Sequence, residues 1–500
     1  MESLSDTLWD VVISGTGLQQ SLLALALSRS GKKILHIDPN EFYGGPEAAF
    51  SIQEADAWVA RVSASSDGGI FKSASFARPE EAITGLSASR GYSLALAPQF
   101  IHARSALLSQ LVSSRAYRQV EFLAVGSFYI FKPSQDAGQK PSLTRIPSTR
   151  EEVFSTTAVS AKAKRSLMKF LKFVLDYENS PHLETWQPFA EAPLVDLLQS
   201  SFKMDTELQT YIVTLTLSLD GKIRTKDGLA VIRRHLSSMG VYGPGFAAIY
   251  PKWGGLSEIA QVSCRAGAVG GAVYMLGTGI EETEIVTGEG EGEGEIKLRL
   301  TSGDTVKTRK LVRVDERPSG RVGISRVTAV IGSPLKSLFE ATMEGAPRPA
   351  VSVIAFPAGS ISTVAGKASE YPVYLSAHSS ETGECPVGQS VVYLTTLTNP
   401  NAQEILNNAL VGFISATSDA EPSPVLYRLQ YEQLAGSDKS HIEGSVFNLP
   451  APSASLSFDD TTLESVREAW AMVMGDDAGG AEYMVFEDRE GAAEEDDGYE

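Results

Sequence analysis

The chain has 500 residues, a formal net charge of −18, and 43% apolar and 21% charged residues, the make-up of ordinary globular domains, with length for roughly two to four of them. The acidic balance argues against nucleic acid as a partner, because phosphate backbones are held by an excess of Lys and Arg. Cys264 and Cys385 are the two cysteines and cannot build a disulfide framework, which fits a reducing compartment. No apolar run approaches the roughly 20 residues that span a bilayer.

Taken in order, residues 11–14 read as a buried parallel strand, 18–30 as a crossover helix and 33–37 as a second strand. Between strand and helix, Gly15 and Gly17 allow a tight turn and a close backbone approach to a pyrophosphate at the helix N-terminus. Asp38 follows at about the 20-residue interval of a ribose-binding acid. The third glycine of the G-x-G-x-x-G pattern is instead Gln20, whose side chain takes up space beside the ligand position. The spacing specifies a βαβ unit, and it fits both a dinucleotide site and a nucleotide-type scaffold that holds none.

Residues 92–104 lead into a helix predicted over 105–113, and the stretch from about 131 to 243 is strongly helical. Leu167, Phe170, Leu171 and Val174 recur at i, i+3, i+4 and i+7, broadened by Phe173 and Leu175. Leu208, Tyr211, Ile212, Leu215 and Leu219 keep the same register, and Asp227 reads as the N-cap of a further helix. Such helices form a small bundle that packs on itself and can also accept an apolar ligand between its members.

From 244 to about 475 the pattern returns to α/β, with strands at 273–276, 296–300, 311–314, 324–331, 351–356 and 426–431 and a closing helix at 462–474. The sheet is therefore assembled from both ends of the chain, and residues 1–130, 131–243 and 244–475 form its first part, the helical insertion and its second part. The Gly-Glu repeat over 287–295 is a flexible polar loop, and 476–500 an acidic, solvated tail. No signal peptide precedes the first strand and no prenylation box closes the sequence, so a cytoplasmic location is expected.

Motifs for catalysis are scarce: no G-x-S-x-G elbow, Walker A sequence, C-x-x-C pair or H-E-x-x-H helix occurs. His36, His102, His235 and His378 are isolated in sequence, each better read as a packed residue than as a ligand or base. No catalytic residue and no metal ligand is assigned. Binding is favoured over catalysis.

Two blocks carry a resemblance. Gly15-Thr-Gly-Leu18, Gly31-Lys-Lys-Ile-Leu-His-Ile-Asp38 and Tyr43-Gly-Gly45 form the first; Tyr250-Pro-Lys-Trp-Gly-Gly-Leu-Ser-Glu258-Ile-Ala-Gln-Val-Ser-Cys-Arg265, running on to Tyr274-Met-Leu276, forms the second. In this order they resemble the Rab escort protein and Rab GDP-dissociation inhibitor superfamily, and the likeness covers most of residues 7–475. The segments 170–178, 227–240 and 324–331 are similar to the escort branch, and to its shorter, fungal members.

The resemblance implies an FAD/NAD(P)-binding-like α/β sheet domain with an inserted helical domain, but no bound cofactor, leaving Gly15, Gly17 and Asp38 as vestiges. It implies a platform of Tyr43, Glu258, Arg265 and Val273 for GDP-bound Rab, with Val273 where the family often has threonine and Trp253 followed by an inserted glycine. The implied partners are the catalytic heterodimer of Rab geranylgeranyltransferase, docked through Phe170 or Phe173, the geranylgeranyl chain of Rab, held by helices at 165–177 and 206–219, and membranes in passing. A Rab GDP-dissociation inhibitor and a flavin-dependent oxidoreductase are the rival readings.

Overall fold

The computed structural model describes residues 4–64, 69–79, 85–134, 139–146, 160–286, 295–314, 322–341, 345–417, 423–436 and 439–488. The opening βαβ unit is present as β1 (Leu8–Ser14), α1 (Leu18–Leu27) and β2 (Ile34–Asp38). β1 and β2 run parallel, with Val12 opposite Leu35. Val11, Val12 and Ile13 are all inaccessible to solvent, as a parallel strand covered on both faces requires. α1 is buried all round, Gln19, Gln20 and Ser21 included, because helices Leu256–Val269 and Thr461–Met474 both pack on it.

The first sheet runs in the order Val273–Leu276, β2, β1, Thr305–Val314, Glu295–Leu300, Ile280–Val286, with Val446–Leu449 parallel to the far end of Thr305–Val314. Its strands thus come from both ends of the chain. A second, ten-stranded sheet contains Val322–Ile331 between Val425–Ala435 and Ser390–Leu397, then Val373–Ser379, Val351–Phe356, Phe122–Lys132 and Ala248–Pro251. One difference from the sequence reading concerns its edge. Phe122–Lys132 pairs with Ser142–Arg145, so sheet structure continues past residue 131, and among the described residues the first helix of the insertion is Ala161–Leu175. Residues 287–294 of the Gly-Glu repeat lie outside the described residues.

Helices Ala161–Leu175, Leu194–Phe202, Thr206–Leu215 and Thr225–Ser238 share a core around Phe170, Leu197, Leu198, Leu229 and Ile232, which rests on Val125, Phe128 and Val353 of the second sheet. Two of them start at side-chain caps: Ser160 Oγ accepts from Ala163 N at 3.2 Å and Asp205 Oδ1 from Leu208 N at 2.9 Å. Asp227 is not a cap. The helix starts two residues earlier, after Arg224, and Asp227 sits in its first turn, where a carboxylate suits the helix dipole and pairs with Arg224 at 2.7 Å.

The acidic end is more built than its composition suggests. Gly475–Gly480 forms a 3-10 turn, Met484 has no exposed surface, and Tyr483 and Phe486 pack beside it on the core that includes α1. Arg118 pairs with Asp488 at 2.9 Å. Residues 489–500 are outside the described part.

Candidate protein-binding face and the filled nucleotide turn

The turn after β1 has the backbone of a dinucleotide site, and its side chains do not fit a dinucleotide. Gly15 has φ 93°, a conformation glycine adopts without strain, and the Gln20 amide lies over it: a Cβ at Gly15 would come within 2.7 Å of Gln20 Nε2. At the N-terminus of α1, where a pyrophosphate would accept from the first amides, the Glu47 carboxylate already accepts from Leu18 N at 3.1 Å. Asp38 is fully engaged as well. Its Oδ2 accepts from Thr16 N at 2.6 Å and Thr16 Oγ1 at 2.7 Å, and its Oδ1 from Asn40 N at 2.7 Å and Asn40 Nδ2 at 3.0 Å. Gly15, Gly17 and Asp38 are together, as the sequence placed them, but the acid's oxygens are spent on the protein itself.

His36 lies behind the turn with its Nε2 at 2.6 Å from the Gly15 carbonyl. A carbonyl only accepts, so Nε2 carries the proton, and burial lowers the imidazole to about 4. It is a packed residue. His235, in ring contact with His102 and Phe128, is packed in the same way and also lowered to about 4 by burial. His378 Nδ1 is 2.6 Å from Glu384 Oε2, inside a buried cluster with Tyr250.

The elements that carry the four expected platform residues meet at Tyr274. Tyr43 is half-buried, its ring 6.2 Å from that of Tyr274. Val273, the neighbour of Tyr274, is exposed on the strand paired to β2. The Tyr274 hydroxyl reaches Gly267 of helix Leu256–Val269, where an added Cβ would come within 2.6 Å of it. That helix carries the half-buried Glu258 and the exposed Arg265, two turns apart on one side. Burial raises the Glu258 carboxyl above its usual range. Among the described residues Arg265 makes no ion pair.

Two exposed apolar residues flanking this helix escaped the sequence reading, or entered it only as a departure. Val269 ends the helix 83% exposed, and Trp253 precedes it 52% exposed. The Trp253 backbone is left-handed, φ 71°, and is held on both sides: its N donates to Thr382 O at 2.8 Å and its carbonyl accepts from Ser93 Oγ at 2.8 Å. The indole lies flat on Gly383, where any side chain would collide with it, and the Lys252 ammonium sits 4.9 Å from the ring centre. The only local hint is an aromatic beside Lys252 and two glycines.

The bundle corrects the remaining expectation. Phe170 is inaccessible and Phe173 nearly so, and the ring of Phe202 lies 5.1 Å from each. Both are core residues, so neither is an outward anchor in this conformation. Their spacing put them on the apolar face, and the core simply uses all of it. Helix Leu194–Phe202 packs against both Ala161–Leu175 and Thr206–Leu215, between the pair expected to grip a lipid. A cavity of about 20 Å³ lined by Phe100, Leu217, Tyr374 and Leu456 lies where the bundle meets the second sheet, room for one water rather than an isoprenoid.

Residues 5–333 match the family model described as GDP dissociation inhibitor. The Rab proteins geranylgeranyltransferase component A of Saccharomyces cerevisiae is 31% identical over 407 residues, covering 80% of this chain, and the chain spans 64% of that relative's length. Among solved structures, a Rab GDI from Plasmodium falciparum superposes with a TM-score of 0.64 at 17% identity, over 93% of this chain and 98% of that one. An oxidoreductase from Methanosarcina mazei gives 0.56 at 12%, over 92% and 99%. These two likenesses are of fold: a nucleotide-type sheet domain with inserted helices.

Proposed function

We propose, since the chain belongs to the GDP dissociation inhibitor family, that it works as a Rab escort protein, the accessory, non-catalytic component of a Rab geranylgeranyltransferase. In this reading it binds Rab in the GDP form, presents the Rab cysteine tail to the catalytic heterodimer and carries the prenylated product through the cytoplasm to membranes. The observation that supports the reading is that the elements carrying Tyr43, Val273 and the Glu258–Arg265 helix meet at Tyr274. Arg265 and Glu258 offer oriented, charge-assisted hydrogen bonds, and Tyr43 with Trp253 supplies rigid aromatic area of the kind that dominates interfaces. Valine at 273 replaces a hydroxyl contact by an apolar one.

The bundle is the lipid carrier. An isoprenoid removed from water is worth about 0.8 kcal/mol per buried CH₂, which would oppose the cost of parting Leu194–Phe202 from its neighbours. The transferase meets an outer face of the same bundle; the exposed Leu175, at the end of the helix that buries Phe170 and Phe173, replaces them as the apolar contact.

Adding the chain to a transferase, unprenylated Rab and geranylgeranyl diphosphate tests the reading: an escort protein supports transfer, and a GDP-dissociation inhibitor does not. The flavoenzyme alternative is disfavoured by Gln20, Glu47 and the engaged Asp38, and a colourless preparation without flavin absorbance is the corresponding expectation.

A further inference from the structure

We infer that Glu47, with the Thr16 and Asp38 pair, is a positioning device for the Rab-binding face: it clamps the 43–47 turn onto the N-terminus of α1 and so fixes where Tyr43 stands. The inference rests on the platform reading given above.

The clamp has two points. At one end Gly44 N donates to the Thr16 carbonyl and to Thr16 Oγ1, both at 3.1 Å, and Thr16 Oγ1 donates to Asp38 Oδ2 at 2.7 Å. At the other, Glu47 Oε2 accepts from Leu18 N at 3.1 Å. Between them Gly44 and Gly45 have φ 95° and 46°, and a Cβ on Gly44 would come within 3.0 Å of the Ala48 backbone, so the turn is tight and unforgiving. Tyr43 is the residue immediately before the first point. Its ring can face Tyr274, and the helix bearing Glu258 and Arg265, only while the turn stays down.

A helix N-terminus leaves amides without intrahelical partners and favours an anion. In a dinucleotide-binding protein the ligand supplies that anion; here the chain supplies its own, from the loop that carries the platform tyrosine. Glu47 is also a poor choice if stability alone were at stake. Burial pushes its carboxyl up to about 7, so the charged form is costly where it sits, a cost that the hydrogen bond from Leu18 N offsets only in part. An acid kept at such a place fits placement of the turn better than reinforcement of the core.

The test is a thermodynamic cycle on the full chain, titrated with GDP-bound Rab. We expect Glu47→Ala to weaken binding by about tenfold with an unchanged or raised melting temperature, and Glu47→Gln, whose amide oxygen still accepts from Leu18 N, to recover most of the affinity. Tyr43→Ala and the double variant should bind alike, because contacting sites are non-additive and Glu47 acts through Tyr43. Wild-type affinity in Glu47→Ala, losses that add in the double variant, or a fall in melting temperature matching the loss of binding in both Glu47 variants would each overturn the inference. Arg265→Ala separates the two levels. If it binds normally the platform itself is misplaced; if it is weak while Glu47→Ala is not, only the clamp is wrong.

Discussion

At the residue scale, Arg265 is the sharpest probe. It is exposed and makes no ion pair among the described residues, so truncation leaves the folded chain little changed. Arg265→Ala should weaken binding of GDP-bound Rab by more than about tenfold, the loss of an interfacial charge pair, with no change in melting temperature. Trp253→Ala should lose less in the same titration, since part of the indole is already spent on Gly383. Equal affinity for wild type and Arg265→Ala would remove Arg265 from the interface. Glycine spacing made the meeting of Gly15, Gly17 and Asp38 at one turn legible in the sequence, whereas Tyr43, Glu258 and Arg265 rest on the resemblance and await the titration. The use of Asp38 was not legible, because its partners Thr16 and Asn40 are chosen by a turn geometry that no period encodes. Glu47 was missed for the same reason: it meets Leu18 only once the intervening loop has folded back.

At the scale of elements, apolar periodicity identified the bundle helices but not which of their phenylalanines face outward, because in Ala161–Leu175 the buried set wraps from Leu167 through Phe173 and Val174. Phe170→Ala should therefore cost about 3–5 kcal/mol of stability, the range for a large aromatic removed from a core, measured by denaturant unfolding. A variant that is fully stable but selectively deaf to the transferase would return Phe170 to the surface role.

The junction of bundle and sheet gives a second expectation. His235 is buried against His102 and Phe128 and lowered to about 4, whereas the unfolded chain takes up that proton near pH 6.5. The folded form thus binds fewer protons between those values, and its stability falls as pH drops from about 6.5 towards 4. His235→Phe should make that slope shallower by about 1.4 kcal/mol per pH unit. Glu47, raised to about 7 by burial, works in the opposite sense over the same window, so the comparison must be between wild type and variant. An unchanged slope in pH-dependent unfolding would show that His235 takes up a proton in the folded chain as readily as in the unfolded one.

For the whole molecule, the sequence made the return of the chain to its first sheet legible, since strands were expected at 273–276 and 311–314 and both lie in that sheet, parallel to β2 and β1 respectively. The ten-stranded second sheet was less so. Phe122–Lys132 and Ala248–Pro251 pair across a helical insertion, a long-range register that local patterns do not report. In the proposed reading, a nucleotide-type fold has Gln20 and Glu47 over its ligand position and Asp38 spent on Thr16 and Asn40, and its loops present a face to another protein. The most direct test of that reading is reconstituted prenylation, in which the purified chain is mixed with the catalytic transferase, unprenylated GDP-bound Rab and labelled geranylgeranyl diphosphate. The account expects label on Rab only when the chain is present, and far less with Arg265→Ala. A chain that adds no label yet extracts prenylated Rab from membranes would contradict it.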